Sequence, residues 1–135
     1  MIIGIGNDIC NEARIAKAYE RHGSRFMSRI LTPAEISEME TRPQKVNYLA
    51  KHFAAKEAIY KAIAHKISPP PSWHDAEILH DEAGRPLVTL SNRCHNALSD
   101  LTKAGQSVSY HLSLSDDKPF IFAVFIASIY ISDNA

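Results

Sequence analysis

The sequence predicts an α+β domain, and three observations carry that prediction. Residues 44–66 place apolar side chains at helical spacing with no internal glycine or proline. Residues 107–115 alternate apolar and polar side chains, and residues 120–131 form a nearly all-apolar, β-rich run just beyond them. Residues 1–6 are an Ile-rich run punctuated by glycine. Period 3.6 and period 2 in one chain, with a hairpin at its C-terminal end, describe helices packed on an antiparallel sheet.

Each element follows from local chemistry, in chain order. Met1 to Gly6 reads as a short buried strand stopped by glycine, which puts Asp8 just beyond a strand end. Asn11 to His22 carries Ala13, Ile15, Ala16 and Tyr19, with Gly23 where a helix C′ glycine belongs, and predicts a first helix. Thr32-Pro33-Ala34-Glu35 has an N-cap threonine, a first-turn proline and an N3 glutamate in capping-box order, so a short second helix starts there. Residues 44–66 form the long helix. Ser68-Pro69-Pro70-Pro71-Ser72 reads as a rigid loop between two halves of one domain, residues 1–135. Residues 76–80 and 87–90 flank Asp81-Glu82-Ala83-Gly84-Arg85-Pro86 as two strands and a turn. Ser91 or Asn92 caps a further helix that Gly105 ends, and Asp116-Asp117-Lys118-Pro119 turns the last two strands.

Composition excludes several function classes. Lys plus Arg and Asp plus Glu number 15 each, so no field of one sign draws nucleic acid or an anionic membrane, and charged recognition must be local. Cys10 and Cys94 lie far apart, outside any CxxC spacing, and read as reduced thiols. The start lacks a basic leader region, and no apolar run reaches the ~18 residues of a membrane span. A cytoplasmic protein is expected.

One carboxylate is out of place. Taking Val46 as zero and about 100° per residue, Ala50 falls at about 40°, Phe53 at about 340° and Glu57 at about 20°, inside the apolar stripe. A carboxylate there needs a partner, a hydrogen bond or a metal. Lys61 is one turn on, and an ordinary i to i+4 Glu-Lys pair on a helix flank is the plainer alternative. Lys56 and Lys51 point elsewhere and read as solvated. Asp8 supplies a second carboxylate; two carboxylates with waters and phosphate oxygens suit Mg²⁺, while an acid favoured by a helix N-terminus is the alternative. Gly4-Ile5-Gly6 lacks the third glycine of a dinucleotide fingerprint, and none of the seven histidines forms an HExxH pair. His111 lies on the polar side of its alternating strand with Ser109 and Ser113.

Taken together, Gly4-Ile5-Gly6-Asn7-Asp8-Ile9 and Phe53-Ala54-Ala55-Lys56-Glu57-Ala58-Ile59-Tyr60-Lys61-Ala62 resemble the two signature motifs of the holo-(acyl-carrier-protein) synthases, the small trimeric phosphopantetheinyl transferases. Arg14-Ile15, Arg29-Ile30-Leu31-Thr32, Gly84-Arg85-Pro86 and His111-Leu112-Ser113-Leu114-Ser115-Asp116 extend the resemblance over nearly the whole chain. It implies an antiparallel sheet packed with a long central helix, and a homotrimer with active sites between subunits. It implies transfer of 4′-phosphopantetheine from coenzyme A to a serine of apo acyl carrier protein, in fatty acid biosynthesis. Asp8 and Glu57 would bind Mg²⁺, Glu57 would take the serine proton, and Lys61 would offset phosphate charge; His111 and Ser113 would contact coenzyme A. Arg14, Lys17, Arg21 and Arg25, clustered on the first helix and its exit, would meet the acidic carrier protein.

The chain departs from the family at Ile63-Ala64-His65-Lys66-Ile67, where a Phe-Gly-Thr-Gly-type turn is usual. Both glycines that let backbone N–H groups approach phosphate are replaced, leaving His65 and Lys66 as substitute side-chain donors. Two further readings fit the residues: a Mg²⁺-dependent nucleotide phosphodiester hydrolase, and a carrier-binding descendant that no longer catalyses.

Overall fold

The computed structural model describes residues 1–133. The chain enters as β1 (Ile2–Asn11), then runs through α1 (Glu12–His22), α2 (Ser24–Ile30) and α3 (Pro33–Glu40) into the long helix α4 (Lys45–Ile63). Short 3-10 turns at Ala64–Lys66 and Trp73–Asp75 lead to the hairpin of β2 (Ala76–His80) and β3 (Pro86–Leu90). The chain finishes with α5 (Asn92–Ser99), β4 (Gln106–Asp117) and β5 (Phe120–Ile131). The α+β expectation holds: β1, β5 and β4 form an antiparallel sheet in that order, and β2–β3 is a separate two-stranded ribbon.

Local signals set most of the boundaries. The Asn11 side chain accepts from the Ala13 N–H at the start of α1, and Gly23 ends it at a φ of 57°, where a side chain would strain the backbone. Thr32 and Glu35 complete the reciprocal capping box of α3. Three boundaries differ from the sequence reading. Strand β1 does not stop at Gly6 but runs on to Asn11, because β5 offers partners along its whole length; Asp8 pairs with Ala123 inside the strand. Helix α2 follows the Gly23 turn directly, with no cap of its own to announce it. Helix α5 stops at Ser99, and Gly105, at a φ of 81°, serves the turn into β4 instead.

The core lies between α4 and the inner face of the three-stranded sheet. Register puts Gly4, Gly6, Asp8 and Cys10 of β1 beside Ala127, Phe125, Ala123 and Ile121 of β5, and the four β5 residues are fully buried. Truncating Phe125 to alanine would cost about 3–5 kcal/mol. Helix α4 is covered almost all round, with Leu49, Ala50, Ala54, Ala55, Ala58, Ile59, Ala62 and Ile63 buried. The line Val46, Phe53, Glu57 and Ala64 is its half-open side, not its core side, and Ala50 alone of the predicted stripe is fully covered. Lys56, expected in solvent, is buried: its ammonium meets Glu35 Oε1 at 2.7 Å, the Ile30 carbonyl at 2.7 Å and the Trp73 carbonyl at 3.0 Å.

Candidate active site

The two glycines of the first motif decide where the site forms. A Cβ on Gly4 would overlap the Ala62 carbonyl oxygen, and one on Gly6 would overlap that of Ala58. Helix α4 therefore lies directly on β1, closer than any side chain permits. That contact fixes the second motif against the first. Asp8, on the same side of β1 as the glycines, comes under the turn of α4 that carries Lys61.

Lys61 Nζ lies 3.2 Å from Asp8 Oδ1 and donates to the Asn7 carbonyl at 3.1 Å. Lys61 is half exposed and Asp8 largely covered, so the pair stabilises the fold little and its weight is in charge placement. Glu57, one turn before Lys61, is half-buried. Burial pushes its carboxyl above the ordinary carboxylate range; the charge of Asp8 adds to this and Lys61 opposes it. The three predicted catalytic groups are thus close enough to feel one another's charge, which helix periodicity alone could not establish for Asp8.

Two hollows border these groups. One of about 190 Å³ lies between α4 and the proline loop, touching Glu57, Tyr60 and Trp73. The other, about 300 Å³, is lined by Ile5, Gly6, Asn7, Lys61 and Val124. The donor set near Glu57 suits a hard cation: two carboxylates, no thiolate or imidazole, and open space for water and phosphate oxygens. No group of three or more metal-ligating side chains occurs among the described residues.

The remaining predicted residues fall in three places. His65 and Lys66 are exposed in the 3-10 turn beyond α4, their side chains without hydrogen bonds among the described residues, and border neither hollow. His111 and Ser113 are exposed on β4, on the face of the sheet turned away from α4, where Ser109 hydroxyl and His111 Nε2 are 3.1 Å apart. Arg14, Lys17 and Arg21 are exposed on α1 and Arg25 on α2, and none forms an ion pair among the described residues.

Sequence reasoning missed the support beneath the site. The Glu35 carboxylate, fully buried, accepts from Thr32 N–H, Lys56 ammonium and Ile78 N–H, each at 2.7 to 2.8 Å. Buried His52 bridges the Tyr48 and Ile78 carbonyls at 2.9 and 2.8 Å. Lys56 immediately precedes Glu57, so this network holds the turn that carries the catalytic candidate. The capping-box glutamate was the one visible signal, and it disclosed a helix start rather than a buried anchor.

Residues 4–123 match the sequence profile of the 4′-phosphopantetheinyl transferase superfamily. The chain belongs to this superfamily. Among curated members, the holo-[acyl-carrier-protein] synthase of Vibrio cholerae is 40% identical over 126 residues, 93% of this chain and 97% of that one. That of Methylobacterium radiotolerans is 38% identical over 93% of both chains. Among solved superfamily structures, the Neisseria meningitidis synthase superposes with a TM-score of 0.80 at 36% identity, covering 95% of this chain and 99% of that one. The Helicobacter pylori synthase, solved with coenzyme A, gives 0.72 at 30% identity over 92% and 99% of the two chains.

Proposed function

We propose that this protein is a holo-(acyl-carrier-protein) synthase, one domain over its whole length, which transfers 4′-phosphopantetheine from coenzyme A to a serine of apo acyl carrier protein and releases 3′,5′-ADP. The observation that carries the reading is the convergence of Asp8, Glu57 and Lys61 where α4 rests on the β1 glycines. Glu57 takes the proton of the attacking serine hydroxyl as the new O–P bond forms and the P–O bond to the nucleotide breaks. Lys61 faces the diphosphate and offsets its charge. Asp8 and Glu57 would hold Mg²⁺, and the chemistry that ion would supply is neutralisation of the diphosphate charge. His65 and Lys66 remain candidate donors to the nucleotide phosphates in place of the missing glycines.

The outer face of the three-stranded sheet supports a homotrimer. Ile5 and Ile9 are 63% and 64% exposed there, beside exposed Phe122 and Tyr130, an apolar surface that association would cover. His111 and Ser113 share that face, across the sheet from Asp8 and Glu57. A site between subunits would bring both sets of residues to one coenzyme A from different protomers. Buried, unpaired Cys10 and Cys94 agree with a reducing, cytoplasmic location, and no helix among the described residues is long and apolar enough to cross a membrane.

Arg14, Lys17 and Arg21 share one exposed face of α1 and, with Arg25, offer forked, charge-assisted contacts to an acidic carrier helix. Arg14→Glu should raise the KM for carrier protein steeply and leave that for coenzyme A near its original value; an unchanged carrier KM at low salt would return α1 to an ordinary solvated face. The decisive experiment is the intact mass of apo carrier protein after incubation with coenzyme A and Mg²⁺. A gain of one phosphopantetheine is expected; coenzyme A cleavage without carrier modification identifies a hydrolase, and carrier binding without turnover identifies a non-catalytic descendant.

A further inference from the structure

Helix α4 is held on two sides. Ala58 and Ala62 rest on the β1 glycines. At about 100° per residue, His52 and Lys56 lie about 120° and 160° round the helix from Ala58, and Glu57 lies about 100° the other way. His52 and Lys56 are one turn apart and both are buried. Lys56 donates to Glu35 Oε1 at 2.7 Å, the Ile78 N–H donates to Glu35 Oε2 at 2.8 Å, and the Ile78 carbonyl lies 2.8 Å from His52 Nε2. This run of bonds leaves α4 at Lys56, crosses α3 and β2, and returns to α4 at His52.

One of its links depends on where a single proton sits. Both nitrogens of the His52 ring face carbonyl oxygens, Nδ1 that of Tyr48 at 2.9 Å and Nε2 that of Ile78, and a neutral imidazole has one N–H for the two. Burial is the main influence on the ring and, with the Lys56 charge, lowers its pKa against the pull of Glu35 and the two carbonyls, which favours the neutral form. Glu38 of α3 and His80 of β2, the next charged groups, are 2.6 Å apart and pair with each other. The Tyr48 carbonyl does not depend on the ring, because within α4 it accepts the backbone N–H of His52 itself. The Ile78 carbonyl does. Ile78 opposes Val88, and in an antiparallel pair the N–H and C=O of one residue point to the same side; its N–H goes to Glu35, so its carbonyl also turns away from β3 toward the helices. Glu35 Oε2, 3.6 Å from Nε2, favours a proton on that same nitrogen.

We propose that His52 is a positioning residue for the transfer reaction: neutral and protonated at Nε2, it donates to the Ile78 carbonyl and closes the run of bonds that sets the rotation of α4, and with it the place of Glu57. The inference rests on the synthase reading above. Without this donor a buried carbonyl is left unpaired, and β2 and Glu35 draw away from Lys56, whose neighbour in the chain is Glu57. His52 borders neither hollow beside Glu57, so it acts on the chemistry through α4.

Two substitutions separate the hydrogen bond from packing, because the His52 ring also stacks on Tyr48 at a centroid distance of 4.0 Å. His52→Gln gives up the stacked ring but can bring an amide N–H to the same acceptor; His52→Phe keeps the stack and has no donor. Transfer is compared at a temperature where melting curves show all three proteins folded. His52→Gln should stay within about threefold of wild type, whereas His52→Phe should lose kcat on the order of tenfold to 100-fold with both KM values within about twofold. The reverse order, or equal rates in all three proteins, would overturn the inference and leave His52 a packing residue. The wild-type protein supplies an independent measurement. With isotope-labelled histidine at neutral pH, the ring whose magnetic resonance signals vanish in His52→Gln should show a protonated Nε2 and a bare Nδ1. A proton on Nδ1, or on both nitrogens, would overturn the inference too. Failure of the underlying reading is separately visible, because the wild-type protein would then modify no carrier while the ring spectrum stayed as expected.

Discussion

Glu57 sits where ionisation is disfavoured, yet the proposed chemistry requires it ionised. Its carboxyl is raised by burial first and by Asp8 second, so the folded protein holds that proton more tightly than the unfolded chain. The linkage has a definite sign: without metal, stability is greatest below the ordinary carboxylate pKa and declines as pH rises through the raised value. Glu57→Gln, of equal volume and without charge, should therefore melt higher than wild type at neutral pH in chelator. Added Mg²⁺ should stabilise the wild type and leave the variant unmoved, while transfer falls on the order of 100-fold to 10,000-fold. A variant with normal transfer would remove Glu57 from the chemistry. The sequence singled this residue out as a carboxylate on an apolar helical line, yet that line is the half-open side of α4, so Glu57 is only half-buried. The environment of Lys56 was not legible, because its partner Glu35 lies 21 residues away and periodicity reports only neighbours on one helix.

At the scale of elements, the site is a consequence of how α4 meets β1. The helix was legible because its spacing is regular, and the strands were legible from alternation and the turn residues between them. The contact between α4 and β1 was not, since Gly4 and Gly6 in isolation signal only a flexible or turning backbone. What they supply is room: the carbonyls of Ala62 and Ala58 occupy the space their side chains would need. Gly6→Ala must push α4 off the strand and carry Glu57 and Lys61 with it. Transfer should drop at least tenfold and stability by about 1–3 kcal/mol, the cost of overpacking a close contact. Gly84→Ala serves as the control for the helix contact, since Gly84 stands at a φ of 86° in the β2–β3 turn with open space around it, so a side chain there strains the turn without displacing α4 from β1. Equal transfer in Gly6→Ala and wild type would mean that the helix position is not what assembles the site.

At the scale of the whole molecule, the sheet has one face in the core and one apolar face in water, and the candidate residues are divided between them. Alternation announced that β4 has two faces; which elements lay on each depended on the pairing of β1 with β5, more than a hundred residues apart, and no local pattern encodes that. Asp8 and Glu57 belong to the α4 side, His111 to the outer side, where it pairs with Ile126 in a row that ends at Ile5. If the outer faces close on one another in a trimer, each complete site takes Glu57 from one protomer and His111 from the next. His111→Ala and Glu57→Gln homotrimers would then each carry only defective sites. Mixing the two variants under conditions that allow subunit exchange should restore activity, because roughly one site in four in randomly assorted trimers joins an intact Glu57 to an intact His111. The mixed sample should therefore transfer faster than the average of the two parents, and the excess should vanish when Phe122→Asp, placed on the outer face to block association, is added to both. Activity that never exceeds the parental average, although mass measurement shows mixed trimers, would place Glu57 and His111 in the service of different events and confine the site to a single protomer.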